Sequence, residues 1–491
     1  MKDTKLRNTA SYLPALAAFG IYFLITTWQL THSSLWLCIH DSEWWFRFAG
    51  VVFGFGGAVG MYRIILGRTG SAAWAAGAVI AYAFNVKLVY YYQECAEYSL
   101  MLGLLPWAVC FFLASLDEAS PRNVGLFALF CVLAVYTQYG AAFPSAAFGV
   151  ILAAKTLASR DNRKSPVGRE ARTLLVAGGA ALVCAALLYC FFTREQIANQ
   201  ALYDATDGDE ANWDAYRRAA EGWSWGVVAW DFLVKLRHVF TYEMFGETIA
   251  ARYAAVRYAI MLLMAATGVG AVCLACSRRK DVAAYRWWLG ACVLTWVPYY
   301  FAVKTGLYAH GIYGFRWDIF FIPMFFVSLV WTAWELIRPF GGTKRRVCTA
   351  LIALIGVMYC TGGFTKIAGN WSKQDIRGAV AAWYATVGNT PTLVMNDAET
   401  GFEFYLKHDA RYSPEMDRNV IFIGSVGRHA TPDEYAARLR GLLTGDQAYM
   451  VSSHLDGLST VSQAMESMGW TGETVFVNRS SALVRWRLAR R

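Results

Sequence analysis

With 491 residues, 57% of them hydrophobic and only 16% charged, the chain falls well below the roughly 25% charged residues of a soluble globular domain, which excludes a simple soluble enzyme. Lysine and arginine number 45 against 35 aspartates and glutamates, a formal net charge of +10. The excess is gathered in short clusters between apolar runs, as in the cytoplasmic loops of a membrane protein, and not along one face as in a nucleic-acid binder.

Crossing a hydrocarbon core of about 30 Å takes about 20 residues. Suitable runs occur near 12–30, 46–66, 72–90, 98–115, 124–141, 143–158, 174–193, 253–276, 287–304, 317–337 and 347–363. The expectation is therefore a polytopic α-helical membrane protein with about 11 transmembrane helices. Lys2, Lys5 and Arg7 precede the first run, but no small-x-small cleavage site ends it, so it reads as a retained span with a cytoplasmic N-terminus. Alternating from there, the inside loops carry Arg63 and Arg68, then Arg122, then Arg160, Arg163, Lys164, Arg169 and Arg172, then Arg278, Arg279 and Lys280, then Arg338, Lys344, Arg345 and Arg346. This is the lysine and arginine bias expected of cytoplasmic loops. The odd count places 194–252 and everything beyond about 364 outside the cytoplasm. Cys110, Cys131, Cys184, Cys190, Cys273, Cys292 and Cys360 stand inside apolar runs and read as small membrane-core residues.

The outer loop 194–252 is rich in tryptophan and acid (Trp213, Trp223, Trp225, Trp230; Asp204, Asp207, Asp209, Glu210). Within it WSWGVVAWDFLVKL has the pattern of an interfacial helix, either resting on the membrane or acting as a lid over a substrate groove. Residues 1–363 thus form a transmembrane domain that includes this loop, and 364–491 a soluble extracytoplasmic α/β domain. In the latter, IRGAVAAWYATVG has helical spacing, while TPTLVMND, EFYLKHD, NVIFIGS and QAYMVSSH read as strands. TPDEYAARLRGLLTG opens on Thr431 and Glu434, the spacing of a capping box. Alternating strands and helices predict a small covered sheet.

Ionisable groups in or beside the spans are the most informative features, because a charge in hydrocarbon costs at least about 2.5–3.5 kcal/mol. On the outer side stand His40, Asp41, Glu43 and Arg47; Lys87, Gln93, Glu94 and Glu97; and Lys304, His310, Arg316 and Asp318. Packed as one bundle, they would converge on an outer-leaflet cavity. Sugar transfer from a phosphate-linked donor needs a carboxylate to take the acceptor proton and cations to stabilise the departing phosphate. Asp41 and Glu43 also fit as solvated loop residues and Arg47 as a snorkelling cation. Lys87, within AYAFNVKLVYYY, fits either snorkelling or phosphate and headgroup binding.

The succession DSEWWFRFAGVVFGFGGAVGMYRIILGRTG and AWAAGAVIAYAFNVKLVYYYQECAEYSLMLGLLPW resembles the N-terminal half of the polyprenyl-phosphate-sugar-dependent branch of the glycosyltransferase C superfamily, which holds protein O-mannosyltransferases and aminoarabinose transferases of lipid A. Ser42, Glu43 and Arg47 match the branch's s-E-x-x-x-R segment, and Gln93, Glu94, Tyr98 and Ser99 its y-s-Q-E-a-R-x-Y-s-l loop. Arg316 and Pro323 in GFRWDIFFIPMFF match its R-Y-x-x-x-x-x-P span, and NWSKQDIRGAVAAWYATVGNTPTLVMND is similar to the segment leading into its outer α/β domain. The resemblance implies an inverting transferase of the inner (plasma) membrane, active in the cell envelope, that takes a hexosyl or pentosyl group from a polyprenyl phosphate to a protein, lipid or glycan acceptor outside the cytoplasm. It implies Asp41 as the base with Glu43 as alternative, and Glu94 orienting the acceptor or a divalent metal. Lys87, Arg316, Lys304 and His310 would hold the donor phosphate, with Arg47, Gln93 and Tyr98 on the acceptor side or in support. Two positions depart from the pattern. The first outer loop is very short, leaving only Asp41-Ser42-Glu43 for the usual acidic pair, and Ala96 stands where the motif has arginine. They leave open an inactive relative that binds lipid-linked sugar; intramembrane charge alone also fits a transporter or flippase.

Overall fold

The computed structural model describes residues 13–27, 43–92, 97–158, 167–194, 225–245, 254–305, 318–368, 375–387, 390–423, 431–443, 445–453, 455–478 and 481–489. The chain divides into two compact units, one built chiefly from Arg47–Glu195 and Asp214–Gly369, the other from Asn370–Arg491.

The first unit is helical. It contains α1 (Leu13–Thr27), α2 (Glu43–Thr69), α3 (Ala72–Ala83), α4 (Val86–Tyr92), α5 (Glu97–Asp117), α6 (Pro121–Thr137), α7 (Ala142–Ala158), α8 (Val167–Leu188), α9 (Trp225–Phe245), α10 (Ala254–Cys276), α11 (Ala283–Lys304), α12 (Phe321–Ile337) and α13 (Gly342–Ala368). Among the described residues, each of the eleven apolar runs falls mostly on helix. By length and composition, five of the described helices are apolar enough to cross a membrane, six if the bent pair α3–α4 is one span. Local chemistry sets the boundaries. Gly70, at φ 66°, ends α2 in a conformation that a Cβ would strain. Ser71 and Ser120 cap α3 and α6 by accepting from the Trp74 and Asn123 amides, and Pro121 opens α6, where no amide is needed. α2 and α5 cross closely at Gly57 and Gly103, where added Cβ atoms would stand 2.5 Å from the Leu102 carbonyl and 2.6 Å from the Phe53 carbonyl. Tyr82, Phe112, Phe148, Trp288, Tyr299 and Phe320 are among the largest fully buried side chains of the core. α8 and α13 differ: only 6% of the apolar part of each is buried, so most of their side chains face outward.

The structure adds detail to two expectations. The run 72–90 is not straight; it breaks between α3 and α4 with a bend of 67°, because Asn85 turns its side chain to cap α4 instead of continuing the helix. The stretch WSWGVVAWDFLVKL, expected as an interfacial helix, is helical from Trp225 onward. It begins α9, whose later part is built into the bundle against α4 and α12, with Val239, Phe240, Glu243 and Met244 buried. Trp230, at its start, remains exposed.

In the second unit a five-stranded sheet has the order β2 (Val420–Phe422), β1 (Thr392–Val394), β3 (Gln447–Ser452), β5 (Ser481–Leu488), β4 (Trp470–Asn478). β2, β1 and β3 run parallel, and β5 and β4 are antiparallel additions. Period-two alternation sends Val394, Tyr449, Val451 and Leu483 to a core with α14 (Ile376–Thr386) and α15 (Asn396–Lys407). It sends Leu393, Ala448, Met450 and Trp486 to the opposite core with α16 (Pro432–Arg440) and α17 (Leu455–Ser467). EFYLKHD, expected as a strand, is the end of α15; Phe402, Tyr405 and Leu406 are its buried face, an i, i+3, i+4 pattern. The capping box forms as expected: the Thr431 hydroxyl accepts from the Glu434 amide and the Glu434 carboxylate from the Thr431 amide at 2.7 Å.

Candidate functional site

The site grows from the break in α3–α4. Asn85 is fully buried. Its carbonyl oxygen accepts from the Leu88 amide at 3.0 Å, and its amide donates to the carbonyls of Glu243 (2.8 Å) and Met244 (3.4 Å) and to the Tyr359 hydroxyl (3.0 Å). Tyr359 in turn donates to the Met244 carbonyl at 2.8 Å. One side chain thus joins the start of α4, the end of α9 and α13, and satisfies carbonyls that the C-terminus of α9 would otherwise leave orphaned.

Two residues on, Lys87 is 13% exposed and its Nζ lies 3.8 Å from Glu243 Oε1. Glu243 is fully buried, and among the described residues neither carboxylate oxygen has a hydrogen-bond partner. Its helix is not among the candidate spans. Burial raises the Glu243 carboxyl above the usual carboxylate range, Lys87 pulls it back and the nearby Asp318 adds to the rise; the net is upward. Asp318, 1% exposed, accepts a hydrogen bond from the Tyr299 hydroxyl.

A second cluster lies twelve residues earlier on α9, about 18 Å along its axis. Asp231 accepts from the Tyr300 hydroxyl at 2.7 Å and from Lys304 Nζ at 3.1 Å. Burial opposes its ionisation, but those hydrogen bonds and the charges of Lys304 and Lys235 outweigh it and hold the carboxyl below its ordinary value.

Lys87 and Lys304 therefore stand beside separate acidic residues, Glu243 and Asp231, about three turns apart on α9. Tyr98 is 6% exposed, its ring 5.3 Å from that of Tyr91. Glu43 and Arg47 fall in the first turns of α2, where only the backbone is described. Asp41, Gln93, Glu94, His310 and Arg316 lie outside the described residues. Among the described residues, no three His, Cys, Asp or Glu side chains come together as a metal-ligand set.

Sequence reasoning missed Asp231 and Glu243. The signal was present for Glu243: Phe232, Leu236, Val239, Phe240 and Glu243 fall at i, i+4, i+7, i+8 and i+11, so the carboxylate occupies a position of the apolar stripe.

No protein-family model matches the sequence, and no curated protein matches it. Among solved structures, ArnT from Cupriavidus metallidurans bound to undecaprenyl phosphate is similar at a TM-score of 0.44 and 12% identity, over 97% of this chain and 96% of that one. The same protein in the apo state is similar at a TM-score of 0.44 and 12% identity, over 95% of this chain and 93% of that one.

Proposed function

We propose that the chain is a multi-pass membrane glycosyltransferase of the glycosyltransferase C type that moves a sugar from a polyprenyl-phosphate donor to an extracytoplasmic acceptor. The observation that carries this reading is Lys87. The stretch bearing the sequence resemblance holds this cation nearly buried, beside a fully buried carboxyl group that has no hydrogen-bond partner among the described residues. A nearly buried cation is costly to maintain and suits an anionic group that enters and leaves, such as the phosphate freed by transfer.

In this reading the acceptor hydroxyl or amine attacks the anomeric carbon with inversion, and the bond from that carbon to the phosphate oxygen breaks. The polyprenyl phosphate departs against Lys87, with Arg316 and His310 as further cations, and the acceptor proton passes to Asp41, or to Glu43. Glu94 orients the acceptor or a divalent metal, supported by Arg47, Gln93 and Tyr98. Lys304, at the end of α11 and paired with Asp231, would meet the donor about three turns of α9 away from the phosphate held at Lys87. The chain would lie in the inner membrane with the N-terminus in the cytoplasm. Residues 364–491 would stand outside and meet the acceptor.

The test is transfer from a panel of radiolabelled polyprenyl-phosphate sugars, incubated with purified protein and envelope extract, for wild type, Asp41→Asn and Lys87→Ala. Incorporation by wild type that both variants lose is the expected result. Donor binding without incorporation from any sugar would replace this reading with a non-catalytic sugar-lipid binder.

A further inference from the structure

We propose that the groove between α6 and α8 binds one anionic bilayer phospholipid, its acyl chain lying along the groove and its phosphate on Arg172. The groove encloses about 510 Å³ and is lined along its length by small apolar residues, Gly125 and Ala128 from α6 and Ala177 and Ala181 from α8. Arg172 and Thr173 form its polar end. At the other end the Tyr136 hydroxyl donates to the Cys184 carbonyl at 2.7 Å and draws the helices together.

Three observations select this occupant. First, the groove opens on a helix of which only 6% is buried, and its rim residues Leu129 and Val176 are 49% and 67% exposed. Such a face meets hydrocarbon, so the void belongs to a lipid chain and not to water. Second, from Arg172 to Cys184 is twelve residues, about 18 Å of helix, which matches the roughly 15 Å depth of one leaflet of a 30 Å core. Third, charge is complementary at one end only. Arg172 is joined there by Arg122, which follows Pro121 of the groove lining, and both are exposed. Neither has a carboxylate within 4.0 Å among the described residues. Basic pockets between membrane helices favour anionic headgroups in this way.

The experiment is native mass spectrometry of the full chain in neutral detergent, titrated with phosphatidylglycerol and with phosphatidylcholine of the same acyl chains. Wild type is expected to hold one phosphatidylglycerol at least about fivefold more tightly than phosphatidylcholine, the worth of one near-surface cation. Arg172→Gln should bring the two lipids together. Gly125→Leu should lose both, since a Cβ at Gly125 meets nothing within 4 Å and the added side chain fills the void without clashing. Thermal unfolding of both variants checks that they remain folded. Equal binding of the two lipids by wild type, or undiminished binding by Gly125→Leu, overturns the proposal. Displacement of phosphatidylglycerol by undecaprenyl phosphate in wild type but not in Gly125→Leu also overturns it, by giving the groove to a polyprenyl lipid. So does a dimer that Gly125→Leu dissolves, by giving it to a second copy.

Discussion

Glu243→Gln is expected to stabilise the protein at neutral pH, although it removes one partner of a buried pair of opposite charges. Two unit charges 3.8 Å apart attract by about 4 kcal/mol at an effective dielectric of about 20. Against this stands the loss of hydration of a fully buried carboxylate, several kcal/mol per ion, with no hydrogen bond to either oxygen from the described residues to offset it. Burial wins, and the carboxyl's folded-state value lies above its ordinary 4.5. A group raised in the folded state contributes its stability in full below the unfolded value and loses it as pH rises towards the folded one. If Glu243 is neutral when folded and ionised when unfolded, holding that proton at pH 7 costs up to about 3 kcal/mol. Glutamine has the shape of the neutral acid and no such cost. Unfolding in mixed micelles should therefore show Glu243→Gln more stable than wild type by up to about 3 kcal/mol at pH 7, falling below about 1 kcal/mol at pH 5. Difference infrared spectra should show the carbonyl stretch of a protonated carboxyl in wild type that the variant lacks. A variant that is destabilised equally at both pH values would refute the reasoning, by showing an ionised carboxylate held by Lys87.

Asn85→Ala leaves the Glu243 carbonyl and the Leu88 amide without the partner Asn85 gave them and should cost about 2–3 kcal/mol in the same unfolding assay, with Asn85→Asp no better because it cannot donate to the carbonyl. Thr431→Ala removes the capping box of α16 and should cost about 1 kcal/mol, read as faster amide exchange at residues 435–440. Leu483→Ala, on the strand between β3 and β4 and fully buried, should cost about 2–5 kcal/mol and lower the unfolding temperature of the second unit.

How much of this could be read from the residues depended on what signalled each feature. Helices in the apolar runs were legible because hydrocarbon leaves the backbone no other local partner. The break at Asn85 was not, since FNVKL continues an apolar run and one asparagine inside it shows no partner until α9 and α13 are in place. The stretch ending α15 misled because Phe402 and Phe404 alternate like a strand, whereas Phe402, Tyr405 and Leu406 are the residues that burial selects. The hairpin of β4 and β5 went unread, as its exposed strand β4 carries Thr471, Glu473 and Val477 with little periodic pattern. Lys87 stood out as a charge among apolar neighbours, but its carboxyl partner is 156 positions away, within a segment whose tryptophans drew attention to its other end. Spacing along the chain carries no information about pairs of that kind.

The Asn85 junction also has a consequence for biogenesis. Its amide reaches carbonyls 158 and 159 positions downstream and a hydroxyl 274 positions downstream, so α4 is synthesised long before its partners exist. In the interval a polar amide at a helix break stands beside lipid with its bonds unmade. The nascent chain has reason to linger near the translocon or an insertion chaperone until Tyr359 emerges. Truncations ending before α13 should then be held by such factors and degraded, while those ending just beyond Ala368 should be released.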